Sequence, residues 1–213
     1  MPATVYYGAQ TRRALAAFPI SGWPVPARLI HALAEVKRAA IVAGNPARAA
    51  ALNAAIDEIV AGQHDNQFPV DVFQDGHGAA TNANLNEVIA GRAAVRPDDL
   101  GSISADDFRL AIRRAVVQAL REELGLTPPG DEVPELAGYL KGLAVDYGRQ
   151  AAAARSPAGE SLGQVCLWVI GAETTVRAAL AQGLPAWPLI GTQLLESVHL
   201  LAAGRKNLAG VRG

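Results

Sequence analysis

Apolar residues fall at helical spacing along most of this chain. From Pro24 to Val42 they occupy Leu29, Ile30, Leu33, Val36 and Val42, with Pro26 tolerated in the first turn and Gly44 as the stop. Asn45-Pro46 predicts a cap and a first-turn proline for a second helix, which places Leu52, Ile56, Ile59 and Val60 on one face and ends at Gly62. Together these predict a helical hairpin. Ser104-Ala105-Asp106-Asp107 has the S-x-x-D form of a capping box and opens an amphipathic helix with Phe108, Ile112, Val116, Leu120 and Leu124 on one side, ended by Gly125. Four helices, near 105–124, 135–154, 159–182 and 187–203, have the lengths and short connections of an antiparallel bundle. The predicted fold class is all-α.

One stretch departs from this rhythm. Phe68 to Phe73 is a strand-like run of β-branched and aromatic residues, closed by Asp75-Gly76-His77-Gly78, where two glycines flank a histidine. Amides follow at alternate positions, Asn82, Asn84 and Asn86, then Glu87 and the apolar Val88-Ile89-Ala90. Amides suit helix caps better than helix interiors, so the pattern predicts a helix that begins near them with its free N–H groups toward the glycine loop. Such an end attracts carboxylates and phosphates.

Composition narrows the function classes. Half of the residues are hydrophobic and only 5% aromatic, which suits packed helices. With 19 Lys plus Arg against 20 Asp plus Glu, the net charge of -1 supplies no bulk attraction for nucleic acid or an acidic membrane surface. The lone Cys166, in the apolar run VCLWVIG, reads as a buried, inert thiol and implies no oxidising compartment. The N-terminal MPATVYYGAQTRRAL lacks the pattern of a signal peptide, and the apolar runs are too short to span a bilayer, so a soluble cytoplasmic protein is expected. His31, His64, His77 and His199 are scattered, without metal-ligand spacing; His64-Asp65-Asn66 reads as a solvated loop and His199 as a core or interface histidine. No phosphate loop or dinucleotide fingerprint is present, and no cofactor is expected.

The segment FPVDVFQDGHGAATNANLNEVIAGRA resembles the class II fumarase and aspartase superfamily, which reads FPxxVxQTGSGTSTNMNxNEVIANRA there. Tyr6 to Leu15 and Phe18 to Gly22 are similar to the family's YYGAQTxRALxNFPISG, and Leu194 to Leu201 to its LLQSIRLL helix. The resemblance implies a helical N-terminal region over 1–103 and a shortened antiparallel bundle, like the family's central domain, over 104–213. It implies a small carboxylate metabolite as ligand, bound by the glycine loop, with Gly76, Gly78, Thr81, Asn82, Asn84, Glu87 and Thr127 at matching positions. Arg96 stands where the family's VHPND has the histidine of a second, peripheral anion site.

The departures bear on chemistry. His77 replaces a serine and Ala79 a threonine of the loop, and Pro128 stands where the family has the histidine of its acid and base pair. A proline ring neither donates nor accepts a proton. Only Arg155-Ser156-Pro157 resembles the end of the family's mobile loop, which carries its serine base. Ordinary fumarase or aspartase activity is therefore not expected. Two readings stay open: a lyase acting on a small dicarboxylate or succinyl-type metabolite, re-equipped with His77 for proton transfer and Asp75 to orient it, or a non-catalytic protein that binds a carboxylate or pairs with a full-length relative. A homo-oligomer is expected in either case.

Overall fold

The computed structural model describes residues 4–184 and 186–210. Residues 1–3, part of the stretch read for a leader, and Pro185, in the connection before the last helix, lie outside the described residues. Within them the regular elements are helical: α1 (Ala9–Ala17), α2 (Ala27–Gly44), α3 (Ala49–Val60), α4 (Ala79–Ala93), α5 (Ala105–Ala119), α6 (Val133–Ala154), α7 (Pro157–Ala181) and α8 (Trp187–Gly210). The fold is all-α, as the periodicity predicts. The strand-like run does not become a strand: among the described residues only an isolated antiparallel bridge joins Pro24 to Asp71. Pro69 has no N–H to give to a ladder. The Asp71 carboxylate instead accepts from Ser21 N and Gly22 N, both at 2.7 Å, and from Phe73 N at 2.8 Å.

The chain divides into two compact units, Met1–Ile112 with Pro185–Leu189, and Arg113–Leu184 with Ile190–Gly213. In the first, α2 and α3 form the expected hairpin, and α4 packs on both α3 and α1. Leu29, Ile30 and Leu33 of α2, Leu52, Ile56 and Ile59 of α3, and Leu85, Val88 and Ile89 of α4 are fully buried. Asn45 does not cap α3. Its amide donates to Ile41 O and Asp99 O, both at 3.1 Å, and a 3-10 turn at Pro46–Arg48 leads into the helix. In the 64–66 stretch Asp65 and Asn66 are exposed, as a solvated segment requires, but the backbone forms a 3-10 turn, and His64 lies 2.8 Å from Glu58 and edge-on to Tyr6. Arg92 and His64 together hold the Glu58 carboxyl down to about 2.

A lysine occupies the apolar stripe of α2. Lys37, four residues after Leu33 and four before Ile41, is 5% exposed, and its ammonium donates to Asn82 Oδ1, Asn86 Oδ1 (2.7 Å) and Gly101 O (3.2 Å). Three hydrogens meet three acceptors, the full capacity of an ammonium. Burial lowers its pKa to about 8, against the opposing pull of Asp107.

In the second unit, α6 and α7 form a long antiparallel hairpin. A capping box between Glu132 and Glu135 starts α6, and Arg155, at φ 44°, ends it. Ser156 then caps α7, accepting from Gly159 N at 3.2 Å with Pro157 in the first turn. The Arg155-Ser156-Pro157 stretch is therefore a tight helix-to-helix turn. Glu173 is buried between the helices, and Lys141 and Arg177 pair with it. Cys166 is buried as expected, and burial pushes its thiol pKa up. The outward face of α7 carries no charge from Ser161 through Thr175, and it exposes Leu167 (71%) and Trp168 (40%).

The last turn of the helix begun by α5 is a π turn, Leu120–Leu124, closed by Gly125 in the left-handed region. The helix α8 runs past Gly204 to Gly210, beyond the expected end near 203. Gly204 is not a stop: a Cβ there would lie 2.8 Å from Leu162 Cδ1, so the missing side chain lets α8 approach α7. His199 is not in the core. Its side chain is 66% exposed, 3.3 Å from Glu123.

Replacing Lys37 with methionine removes the donor to the Oδ1 acceptors of Asn82 and Asn86, the latter buried, while Gly101 O keeps Asn86 Nδ2. We expect the unfolding free energy to fall by about 2–4 kcal/mol. Urea denaturation of K37M beside the unmodified protein measures it.

Candidate functional site

The glycine loop and α4 meet where the sequence places them, but the helix starts three residues before the first amide. Gly78 is the N-cap, at φ 75° and ψ 26°, and a Cβ on it would overlap the Phe108 ring, so glycine is required on both conformational and steric grounds. The first turn is then Ala79, Ala80 and Thr81. Their N–H groups would be orphans facing the loop.

None of them is free. Asp75 accepts from Ala79 N at 2.6 Å through one carboxylate oxygen and from Ala80 N at 2.9 Å through the other. Gln74 Oε1 takes both Thr81 N (2.9 Å) and the Thr81 hydroxyl (2.8 Å), and Gly78 N donates to Asp75 O at 3.0 Å. A negative charge at this end is favourable to the helix dipole, and the chain supplies its own. Asp75 is thus a helix cap. It does not contact His77, which it was expected to orient. His77 is exposed, makes no hydrogen bond among the described residues, and lines neither the groove beside Glu123 and Ala209 nor the cavity beside Lys37 and Gly101.

The amides expected to face a ligand are inside the helix and occupied. Asn82 and Asn86 accept from Lys37, and Asn86 Nδ2 also donates to Gly101 O at 2.8 Å. Asn84, 1% exposed, donates to Gln67 O at 3.0 Å. Thr81, likewise buried, spends its hydroxyl on Gln74. Gly76 contributes its carbonyl to Trp187 N at 3.1 Å. Arg96 is a surface arginine, 78% exposed and 3.8 Å from Asp98, with no clamp geometry. Thr127 is exposed in the second unit, where Pro128 beside it is buried.

Glu87 is the clearest correction to the expected ligand set. Its carboxylate is buried and accepts from Gly8 N (2.7 Å), Gln10 N (2.8 Å), Thr11 N (3.0 Å) and the Thr11 hydroxyl (2.7 Å). It caps α1 from the side of α4. Burial alone would raise its pKa, but the donors of Thr11, Gln10 and Gly8 outweigh that and hold it below the usual carboxylate range. Sequence reasoning missed Lys37, Gln74 and Asp71 as organisers of this region. Lys37 was findable as a charge on an apolar stripe; nothing local marked the two others.

Among the described residues no group of three or more His, Cys, Asp or Glu could hold a metal ion, and no helix is long and apolar enough to cross a membrane.

A helical fold does not by itself name a chemistry, and comparison with known proteins supplies the class. Residues 1–128 match the Lyase family. The chain is 41% identical to the class II fumarate hydratase of Halobacterium salinarum over 165 residues, covering 67% of this chain and 35% of that one. It is 35% identical to that of Pseudomonas syringae pv. tomato over 251 aligned positions, covering all of this chain and 52% of that one. Among solved structures it superposes on the fumarate lyase:delta crystallin of Brucella melitensis with a TM-score of 0.83 at 23% identity, covering 96% of this chain and 83% of that one. The class II fumarase of Schistosoma mansoni gives 0.81 at 19% identity, covering 96% and 80%. The chain belongs to the aspartase and fumarase superfamily of lyases. It spans about half or less of the length of the two curated relatives named.

Because the Glu87 pKa is lowered on folding, the stability it confers is fully present above its unfolded value of 4.5 and is lost as pH falls through the folded value. We expect E87Q to lose about 2 kcal/mol at neutral pH and to show a shallower loss of stability below pH 4.5 than the unmodified protein. Chemical denaturation at stepped pH measures both.

Proposed function

We propose that this chain is a non-catalytic member of its lyase superfamily, a helical subunit whose glycine loop serves as a structural cap and whose α7 face pairs with further copies of itself. The observation that carries this reading is the Asp75 carboxylate on the N–H groups of Ala79 and Ala80. A substrate carboxylate arriving at this helix end would meet a negative charge already seated there and no unpaired donor. The proline at 128, where the superfamily resemblance places the acid-base histidine, supports the same conclusion. The long uncharged face of α7, with Leu167 and Trp168 exposed side by side, supports self-association, since exposed apolar side chains grouped within an uncharged patch mark interaction sites.

One observation favours a second reading, a re-equipped lyase acting on a small dicarboxylate. His77, at the apex of the loop, is exposed and unbonded among the described residues, so its imidazole is available to a substrate completed by another subunit.

Two measurements separate these readings. Loss of the fumarate absorbance, and the reverse with malate or aspartate, is expected not to exceed the buffer rate, and millimolar fumarate is expected to leave the melting temperature unchanged. Saturable turnover that disappears in H77A would establish the second reading instead. Light scattering is expected to give a mass above that of one chain, reduced by W168E; a single-chain mass in both would remove the assembly.

A further inference from the structure

The second unit carries a groove that the glycine loop does not line. It opens between the π turn at Leu120–Leu124 and the last turns of α8, and its volume is about 660 Å³. Small-molecule sites are commonly ~300–1,000 Å³, mostly apolar, with a few polar groups that set orientation. This groove has that make-up. Leu124, Ala202, Ala203 and Ala209 form apolar walls, and the alanines leave the space that larger side chains would fill.

Cations outnumber anions among the described residues of the rim. Arg205 and Lys206 are exposed on α8, and the carboxylate of Glu123 has His199 at 3.3 Å. Arg205 is held in place before any ligand arrives: it donates to the Tyr147 hydroxyl at 3.0 Å and stacks 4.7 Å over the Tyr147 ring. A guanidinium fixed in this way loses little rotamer freedom on meeting an anion. Among the described residues Lys206 makes no ion pair. The wall itself is a π turn, a rare form of helix that recurs at functional sites.

We propose that this groove is a binding site for an anionic amphiphile, a medium-chain carboxylate whose head pairs with Lys206 and Arg205 and whose tail lies along Leu124 and the alanines. The pairing of a cationic rim with an apolar floor selects the ligand by two properties at once. A short dicarboxylate lacks the tail, and an alkyl ammonium has the wrong head.

Isothermal titration of the full chain with decanoate, and with decylammonium as the charge-reversed control, tests this. Decanoate is expected to bind saturably, and decylammonium at least about tenfold more weakly. K206E is expected to weaken decanoate about tenfold, and A203F to abolish it by filling the groove, with melting temperatures unchanged. R149E, an exposed charge reversal on α6, is expected to leave binding alone. Equal binding of the two amphiphiles, no binding of decanoate, or full binding by A203F would each overturn the proposal. So would a fall in solution mass on introducing A203F, because the groove would then be an interface between chains.

Discussion

The first unit depends on polar groups buried along α4. Four side chains of this helix, Asn82, Asn84, Asn86 and Glu87, reach three separate neighbours and end on a backbone or charged group there. Glu87 satisfies the N-terminus of α1, Asn84 holds the 64–67 turn through Gln67, and Asn82 and Asn86 bind α2 and Gly101 through Lys37. Apolar packing of Leu85, Val88 and Ile89 supplies driving force but little direction. The polar contacts supply direction, since a misplaced neighbour leaves a buried donor or acceptor unmet. This explains why α4 is helical through a run of residues with poor helix propensity: their side chains are more strongly engaged in the tertiary structure than any local turn could engage them.

The same constraint governs the glycine loop. A helix N-terminus offers three or four N–H groups, and they can serve a ligand or a cap but not both. Asp75 and Gln74 take the cap, and Gly78 makes it possible by turning in the left-handed region under Phe108. The superfamily's loop has hydroxyl-bearing residues at positions that are here Asp75, His77 and Ala79. The substitution that matters electrostatically is the first, because it sets a full negative charge where an anion would sit.

The second unit solves its assembly differently. The α6–α7 hairpin is closed by a turn with helix caps on both sides, so the chain reverses within three residues, and small residues such as Gly204 allow the third helix close. The cost of that economy is surface. The outward side of α7 and the end of α8 retain apolar area with no partner inside this unit, one a flat helix face and the other a concave groove with a cationic rim.

Much of the fold was written in local pattern. Helical spacing located the α2–α3 hairpin and the four later helices, because burying one stripe of a helix is a demand that shows in sequence every three or four residues. The capping box at Ser104 and Asp107 formed as read, with Ser104 Oγ accepting from Asp107 N at 3.1 Å and Ser104 N donating to Asp107 Oδ2 at 3.1 Å. What only the tertiary structure decided was the employment of polar side chains. Asp75, Asn84 and Glu87 have the chemistry to hold a substrate or to hold the protein, and a residue's type does not say which. That is settled by partners 4 to 79 residues away in sequence, most of them beyond the reach of a local pattern.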